Sequence, residues 1–376
     1  MTSPSGSPLP LPNPAPTLVV GAGLAGLVVA YRLRQAGVAA TVVEARDRPG
    51  GRIHSVPQAL GTTLTAELGG EAFDSDHGAS LSLAQDLGLP IADLWATVPP
   101  SDTDFCWFDG QPWDSRPLLA EFTRLMQARR GDFEAVTQFL ATARRTPAIA
   151  ALDALSIPAY MVAIGASPAL QRWVDRAYTI KYGTEARQQS CLNLLCFFRQ
   201  LADCGSLFGW SDERFYIAGG NGQLPQALAA QMQDALVLNT VLTALTALAE
   251  GGYVATLQRG ETVVDCRCDR VVLTVPFSVL RHIPLRVALP DPQRQAIAEL
   301  AYNTPTKLIT AYDSKPWRTQ APQGLAYTDL AVQHCWEASD SLLSPHQGLL
   351  VAYPGGDSGQ AIAQADLATA TEAILQ

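Results

Sequence analysis

The rhythm of apolar and polar positions changes early in the chain, and that change predicts its first elements. Thr17-Leu-Val-Val is a short apolar run of strand length, and Gly21-Ala-Gly23-Leu-Ala-Gly26 follows it directly. From Leu27 to Ala36 the apolar residues recur at helical spacing, with Gly37 as a C-terminal stop. Ala40-Thr-Val-Val restores the strand pattern and closes on Glu44. The prediction is a β–α–β unit with GxGxxG at its strand-to-helix turn and an acid eighteen positions past the third glycine. Ahead of it, residues 1–16 hold six prolines and read as a flexible extension.

Each part of this unit has a physical task. Gly21 permits the tight turn, Gly23 lets the backbone approach a pyrophosphate, and Gly26 lets helix and strand pack closely. The first helical turn, which includes Ala25, offers free N–H groups and the positive end of the helix dipole to the phosphates. Glu44 can accept both hydrogen bonds of a ribose diol. A glycine-rich turn that only packs would leave Glu44 without a purpose.

Composition narrows the picture further. At 376 residues the chain exceeds the usual single domain, which predicts two lobes or one large interleaved fold. With 48% hydrophobic and 16% charged residues it has material for a packed core, and a largely disordered chain is excluded. The net charge of −9 argues against nucleic acid as a partner. Seven cysteines, an odd count at low density without paired CxxC elements, predict no metal site and a reducing compartment, hence the cytoplasm. Cys266 and Cys268, two apart in a strand pattern, read as packed thiols on one face. No transmembrane segment is expected: Leu18 to Tyr31 is too short to span a bilayer, and Pro158 and Pro168 break the uncharged stretch 154–171.

The segment that continues from Glu44, Ala45-Arg46-Asp-Arg-Pro-Gly-Gly51-Arg52, adds two glycines and a cation to the phosphate site, which an NAD site on the same unit does not need. Val42-Val-Glu-Ala-Arg-Asp-Arg-Pro-Gly-Gly-Arg52 resembles the signature of the flavin-containing amine oxidase superfamily, which includes monoamine, polyamine and L-amino-acid oxidases. The resemblance continues in patches. Ala66-Glu-Leu-Gly69-Gly70-Glu71 resembles the loop that passes beside the flavin, with Ser80 to Leu89 as the helix after it. Gln189-Ser-Cys-Leu-Asn193-Leu194-Leu-Cys-Phe-Phe198 resembles a helix walling the substrate cavity. Arg214 to Pro225 resembles the turn by which the chain re-enters the FAD domain, and Leu236 to Leu242 the strand whose backbone meets the adenine, Leu242 being the contact. Val271-Val-Leu-Thr-Val-Pro276 matches a buried strand beneath the flavin.

The resemblance implies an α/β fold of two interleaved domains. Residues 17–88 and 215–287 would form a Rossmann-like FAD-binding domain, a parallel sheet plus a smaller β element. Residues 89–214 and 288–376 would form a substrate domain of mixed sheet and helices. It implies FAD as cofactor, bound by Gly21, Gly23, Ala25, Gly26, Glu44, Ala45, Arg46, Gly51, Arg52, Gly69, Gly70, Glu71 and Leu242. Lys307 would be the catalytic lysine, holding a water at the flavin N5, with Trp317 ten residues on in the substrate domain beside Asn193 and Leu194.

The implied reaction is oxidation of an amine α-carbon by hydride transfer to the flavin, with dioxygen and a small-molecule amine as the partners. An apolar, aromatic-lined pocket that favours the neutral amine would suit it. Ala72 stands where amino-acid oxidases carry an arginine for the substrate carboxylate, which turns the expectation toward amines without one. Glu71 could attract a cationic amine or be a solvated or hydrogen-bonded loop carboxylate, and His77, near which some polyamine oxidases use a histidine, better suits a capping or surface role. An L-amino-acid oxidase, a carotenoid-type desaturase or isomerase, and a non-catalytic truncated form stay open, as does a homodimer. The resemblance also implies a further C-terminal FAD-contacting stretch beyond Gln376.

Overall fold

The computed structural model describes residues 15–99, 105–319, 321 and 324–375. The predicted extension falls outside them except for Ala15 and Pro16, which begin the first strand, Ala15–Val20. That strand lies inside a seven-stranded sheet. Thr41–Val43 runs parallel on one side and the end of the twelve-residue strand Thr262–Leu273 on the other, with Val20 facing Val43 and Leu273 in register. Leu236–Val237 pairs parallel with the outer edge of Thr41–Val43.

Alternation along Leu18-Val-Val20 divides the core. Val19 packs beneath the helix Leu24–Gln35 with Leu27, Ala30, Val42, Leu224 and Leu228. Leu18 and Val20 pack on the opposite face with Val43, Leu242, Cys266 and Cys268. Both cysteines are buried, outside any disulfide and on one face, as predicted, and burial pushes Cys268 up to about 12.

Two sequence expectations change here. The parallel sheet and the smaller β element are one sheet, because Thr262–Leu273 is long enough to pair with Ala15–Val20 at one end and antiparallel Tyr253–Arg259 at the other. Leu236 to Leu242 is also not a single strand. Asn239 takes φ 55°, and the chain turns there to begin Val241–Ala247. The turn is held to the end of the second parallel strand, since Asn239 N–H donates to Arg46 O at 2.9 Å and Thr240 N–H to Glu44 O at 2.8 Å.

A six-stranded sheet is built from Phe105–Phe108, Gln111–Trp113, Leu308–Tyr312, Ala326–Thr328, His334–Glu337 and Gly348–Ala352. Helices between residues 115 and 195 pack Phe122, Phe133, Trp173, Tyr178 and Phe198 into a common core. Their starts follow local chemistry: Thr146, Ser156 and Ser167 each cap a helix through the side-chain oxygen, with proline in its first turn. The prolines at 158 and 168 thereby divide the uncharged stretch into Ile157–Ala163 and Pro168–Tyr182. Among the described residues no helix is long and apolar enough to cross a membrane.

The helix read over Gln189–Phe198 shrinks to Leu192–Leu195. Its N-terminal backbone is drawn elsewhere: Cys191 N–H donates to Leu155 O, and Gln189 O accepts from Ile157 N–H. A bridge to the neighbouring chain replaces the helical bonds that Gln189 to Cys191 would have made.

Candidate functional site

The first strand-to-helix turn is as tight as its glycines predict. Gly21 has φ 104°, where side chains are disfavoured, and a Cβ on Gly26 would stand 1.9 Å from Gly21 O. Thr274, beyond the paired strand Thr262–Leu273, locks the turn by donating to Val20 O at 2.9 Å and to Gly21 O at 3.1 Å. The helix begins at Gly23 with no side-chain cap and no acid in its first turn, and Ala25 is exposed. Its leading N–H groups and positive dipole end therefore face an anion site without internal compensation.

The second glycine pair closes on the first. Gly50 N–H donates to Ala22 O at 2.8 Å, and the Cα of Gly51 lies 3.9 Å from where a Cβ on Gly23 would be. Arg46 and Arg48 both donate to Gly51 O, at 3.3 and 3.2 Å, while Ala45 and Arg52 are exposed. Glu44 is buried, and each of its carboxylate oxygens takes one backbone N–H: Ala22 at 2.7 Å and Arg46 at 3.0 Å. Free lone pairs remain on both oxygens for a ribose diol. An uncapped helix start, a backbone cradle that a Cβ would fill and a diol acceptor together fit a dinucleotide. Leu242 follows the turn beside Glu44, with its side chain in the core against Val43 and Val237.

A second constellation forms around Lys307, at the start of Leu308–Tyr312. Its ammonium donates to Glu67 O at 3.2 Å, Gly69 O at 3.0 Å and Glu71 Oε2 at 2.8 Å. Glu71 Oε1 accepts from Ser339 N–H at 2.9 Å. The Gly69 bend requires glycine, since a Cβ there would meet Arg52 O at 1.8 Å, and Gly70 N–H donates to that same carbonyl at 3.1 Å. Gly70 itself is exposed, and Asn221 Nδ2 donates to Gly70 O and Glu71 O at 3.3 and 2.8 Å. The glycine loop, the lysine and the Arg52 segment are thus one hydrogen-bonded unit.

The aromatic partner of Lys307 is Trp336, whose ring centroid lies 5.4 Å from Nζ. Trp336 meets Tyr353 edge-on at 5.1 Å and His334 at 5.2 Å. Trp317 is placed differently from its sequence expectation. Register pairs Trp336 with Val351, which pairs in turn with Ile309 on its other side, while Glu337 pairs with Leu350 and thus faces the other side of the sheet. Trp317 joins Glu337 on that far side, donating from Nε1 to Oε2 at 2.9 Å and packing on Tyr312. Lys315 and Arg318 complete this buried cluster, so Trp317 steadies the sheet and does not meet Lys307.

Leu194 has no exposed surface to offer a ligand; it belongs to the helical core. Asn193 is half-buried, with its carbonyl accepting from Tyr182 OH at 3.0 Å and its amide donating to Gln189 at 3.4 Å. His77 sits at the start of the helix Gly78–Asp86, where its Nδ1 accepts from Asp74 N–H at 3.1 Å.

Glu67, which the sequence did not mark as functional, lies behind the lysine. It is buried and accepts from Ser55 Oγ at 2.8 Å and Asn221 N–H at 2.7 Å. Burial pushes its carboxyl up to about 7, aided by the Glu71 charge and opposed by those hydrogen bonds and Lys307. The folded chain therefore holds this proton more tightly than the unfolded chain, whose ordinary value is 4.5. The carboxyl's contribution is present at acid pH and is lost as pH rises from 4.5 to about 7. Glu67→Gln keeps an acceptor for Asn221 N–H and removes the ionisation. Above neutrality it is expected to exceed the parent in stability by about 3 kcal/mol, with the gain vanishing in acid. Urea unfolding at acid and mildly alkaline pH measures this, and a gain independent of pH would contradict it.

A family model described as flavin containing amine oxidoreductase matches residues 24–376. The chain is 27% identical over 320 residues to lysine-specific histone demethylase 1 homolog 2 of Oryza sativa subsp. japonica, covering 81% of this chain and 38% of that protein. It is 22% identical over 379 residues to L-amino-acid oxidase of Bungarus fasciatus, covering 96% of this chain and 70% of that one. The solved structure of wild-type putrescine oxidase bound to putrescine matches with a TM-score of 0.78 at 20% identity, over 96% of this chain and 80% of that chain.

Proposed function

The chain belongs to the flavin containing amine oxidoreductase family, and from that premise we propose that it is an amine oxidase that uses dioxygen. The reaction takes two electrons and two protons from the C–N unit of an amine, giving an imine and hydrogen peroxide. Water then hydrolyses the imine to a carbonyl compound and ammonia or a smaller amine. FAD, when bound, supplies the two-electron acceptor.

Gly21, Gly23, Ala25 and Gly26 would hold its pyrophosphate and Glu44 its ribose. Ala45, Arg46, Gly51 and Arg52 would border the phosphates, and Gly69, Gly70, Glu71 and Leu242 would line the rest of the site. In this reading residues 17–88 and 215–287 serve the cofactor, and 89–214 and 288–376 the substrate. The observation that carries the proposal is the Lys307 constellation: a cation fixed by three acceptors of one glycine loop, beside Trp336, with Gly69 closed on Arg52. It joins the dinucleotide cradle to the aromatic cluster of Trp336, Tyr353 and His334. Lys307 keeps that loop in place and sets its cation beside the cluster, while Trp336 and Tyr353 would shield an amine placed there from water.

Ala72 leaves no carboxylate clamp beside Glu71, which favours amines over α-amino acids. Incubation of the FAD-loaded protein with a panel of primary amines in air tests the reading. It predicts peroxide in equal amount to amine consumed with at least one of them, whereas peroxide only from amino acids or only from polyenes would replace it.

A further inference from the structure

The helix Ser339–Leu342 is only four residues long, yet it bonds to several segments far from it in sequence. It begins just after Glu337, the carboxylate held by Lys315, Arg318 and Trp317 on the face of the sheet opposite Trp336. Buried Ser341 ties the helix to that cluster, its Oγ donating to Glu337 Oε1 at 2.8 Å and accepting from Leu349 N–H at 3.1 Å. Lys315 also donates to Ser341 O, and to Ser344 O at 2.6 Å. The helix is thus anchored to the sheet.

From that anchor it grips the surroundings of Lys307. Ser339 N–H donates to Glu71 Oε1 at 2.9 Å, on the carboxylate whose other oxygen takes the lysine ammonium. Asp340 sends both carboxylate oxygens away from its own helix: Oδ2 accepts from Thr65 N–H at 2.8 Å and Oδ1 from Gly219 N–H at 3.2 Å. Thr65 Oγ1 donates to Gly219 O at 3.2 Å, which closes the three residues into a ring. Each gripped segment carries partners of the lysine or of its loop. Thr65 leads into Glu67 and Gly69, whose carbonyls accept from Lys307 Nζ. Gly219 leads into Asn221, which donates to Glu67 Oε1, Gly70 O and Glu71 O. Apolar contacts run beneath these bonds, Ala338 packing with Leu64 and Ala66 and Leu342 with Tyr216. A carboxylate that served only its own short helix would need neither segment.

Resting on the amine-oxidase reading, we infer that Asp340 is a positioning residue for that reaction, fixing the spacing of the Thr65 and Gly219 segments and through them the place of the Lys307 ammonium. It makes no bond to Lys307 and acts through Glu67, Gly69 and Glu71. Its two bonds join a charged acceptor to backbone N–H groups, which makes them stronger than neutral ones. Losing them frees two segments that share no covalent constraint, and a shift of about 1 Å at a group beside the reacting atoms is enough to slow the chemistry. The dinucleotide cradle at Gly21 to Gly26 and Glu44 has its own bonds and stays in place.

The chain has three lysines, Lys181, Lys307 and Lys315, so acylation of amines reports on the site directly. Brief treatment of the FAD-loaded protein with acetic anhydride, followed by peptide mass spectrometry, gives a labelling rate for each. Lys307 and Lys315 should label slowly in the parent, their side chains being 13% and 5% exposed and held by acceptors. Asp340→Ala is expected to raise the Lys307 rate about tenfold, the effect of one lost charged hydrogen bond, and to leave Lys315 unchanged. The limiting rate of anaerobic flavin reduction by the best amine should fall about tenfold, with its half-saturating concentration within about twofold of the parent. Asp340→Asn keeps one acceptor oxygen and should lie between the two, which preserves the test if the alanine variant does not fold. Lys307 labelling that stays parental, or that rises only together with Lys315, overturns the inference, as does flavin reduction at the parental rate in both variants. Selective labelling of Lys307, in a protein whose flavin no amine reduces, upholds the placement of Lys307 by Asp340 and overturns the oxidase reading instead.

Discussion

Gly26→Ala is expected to strip the protein of its flavin and to cost it about 3 kcal/mol or more in stability. The added Cβ would stand 1.9 Å from Gly21 O and 2.8 Å from Thr274 Oγ1. Neither neighbour is the free end of a flexible side chain. Gly21 O is backbone in the turn itself, and the Thr274 hydroxyl is tied to Val20 O and Gly21 O. Relief therefore requires the helix Leu24–Gln35 to move off the first strand, which opens the core at Leu27 and Val19 and displaces the N–H groups that would hold the pyrophosphate. Gly78→Ala is the matched control, because nothing lies within 4 Å of its added Cβ. It should melt like the parent and retain flavin. Thermal melts and the flavin-to-protein ratio report both effects, and a Gly26→Ala variant that keeps parental values would refute the account of the turn.

The second large effect is at Lys307. Lys307→Met removes the cation from Glu71 and the donor from two loop carbonyls at once. Glu71 has a side chain only 9% exposed, so breaking this pair is expected to cost about 3 kcal/mol, most of it from leaving a carboxylate uncompensated. Glu71→Gln in the same chain should recover much of that loss, because an uncharged amide at 71 needs no cation. Flavin reduction by amine is expected to fall about 100-fold in Lys307→Met and to stay low in the double variant, since restoring loop stability does not restore the charge. Recovery of both quantities together would make Lys307 a structural residue alone.

What could be read from the sequence follows the range of the interactions. The β–α–β unit was legible because its helix spacing, glycines and terminal acid all lie within thirty residues, and Gly21, Gly26 and Glu44 act on neighbours in the same turn. The Ala15–Pro16 start of the first strand was obscured because prolines suggest an extension. The resemblance singled out Lys307, but the partners of its ammonium were not legible. Glu67, Glu71, Asn221, Trp336 and Ser339 come from segments that only the topology brings together. Trp317 shows the difficulty: its spacing from Lys307 pointed to the site, whereas its Nε1 bonds Glu337, which strand alternation turns to the side of the sheet opposite Trp336.

A flavin held in this fold should lie where an amine can reduce it. The most direct test is the visible absorbance of the purified, FAD-loaded protein during anaerobic addition of amines. At least one amine is expected to bleach the flavin band, and admitting air to restore it with release of peroxide. Failure of the protein to retain FAD, or a band left unchanged by every amine in a panel of monoamines and diamines, would contradict it.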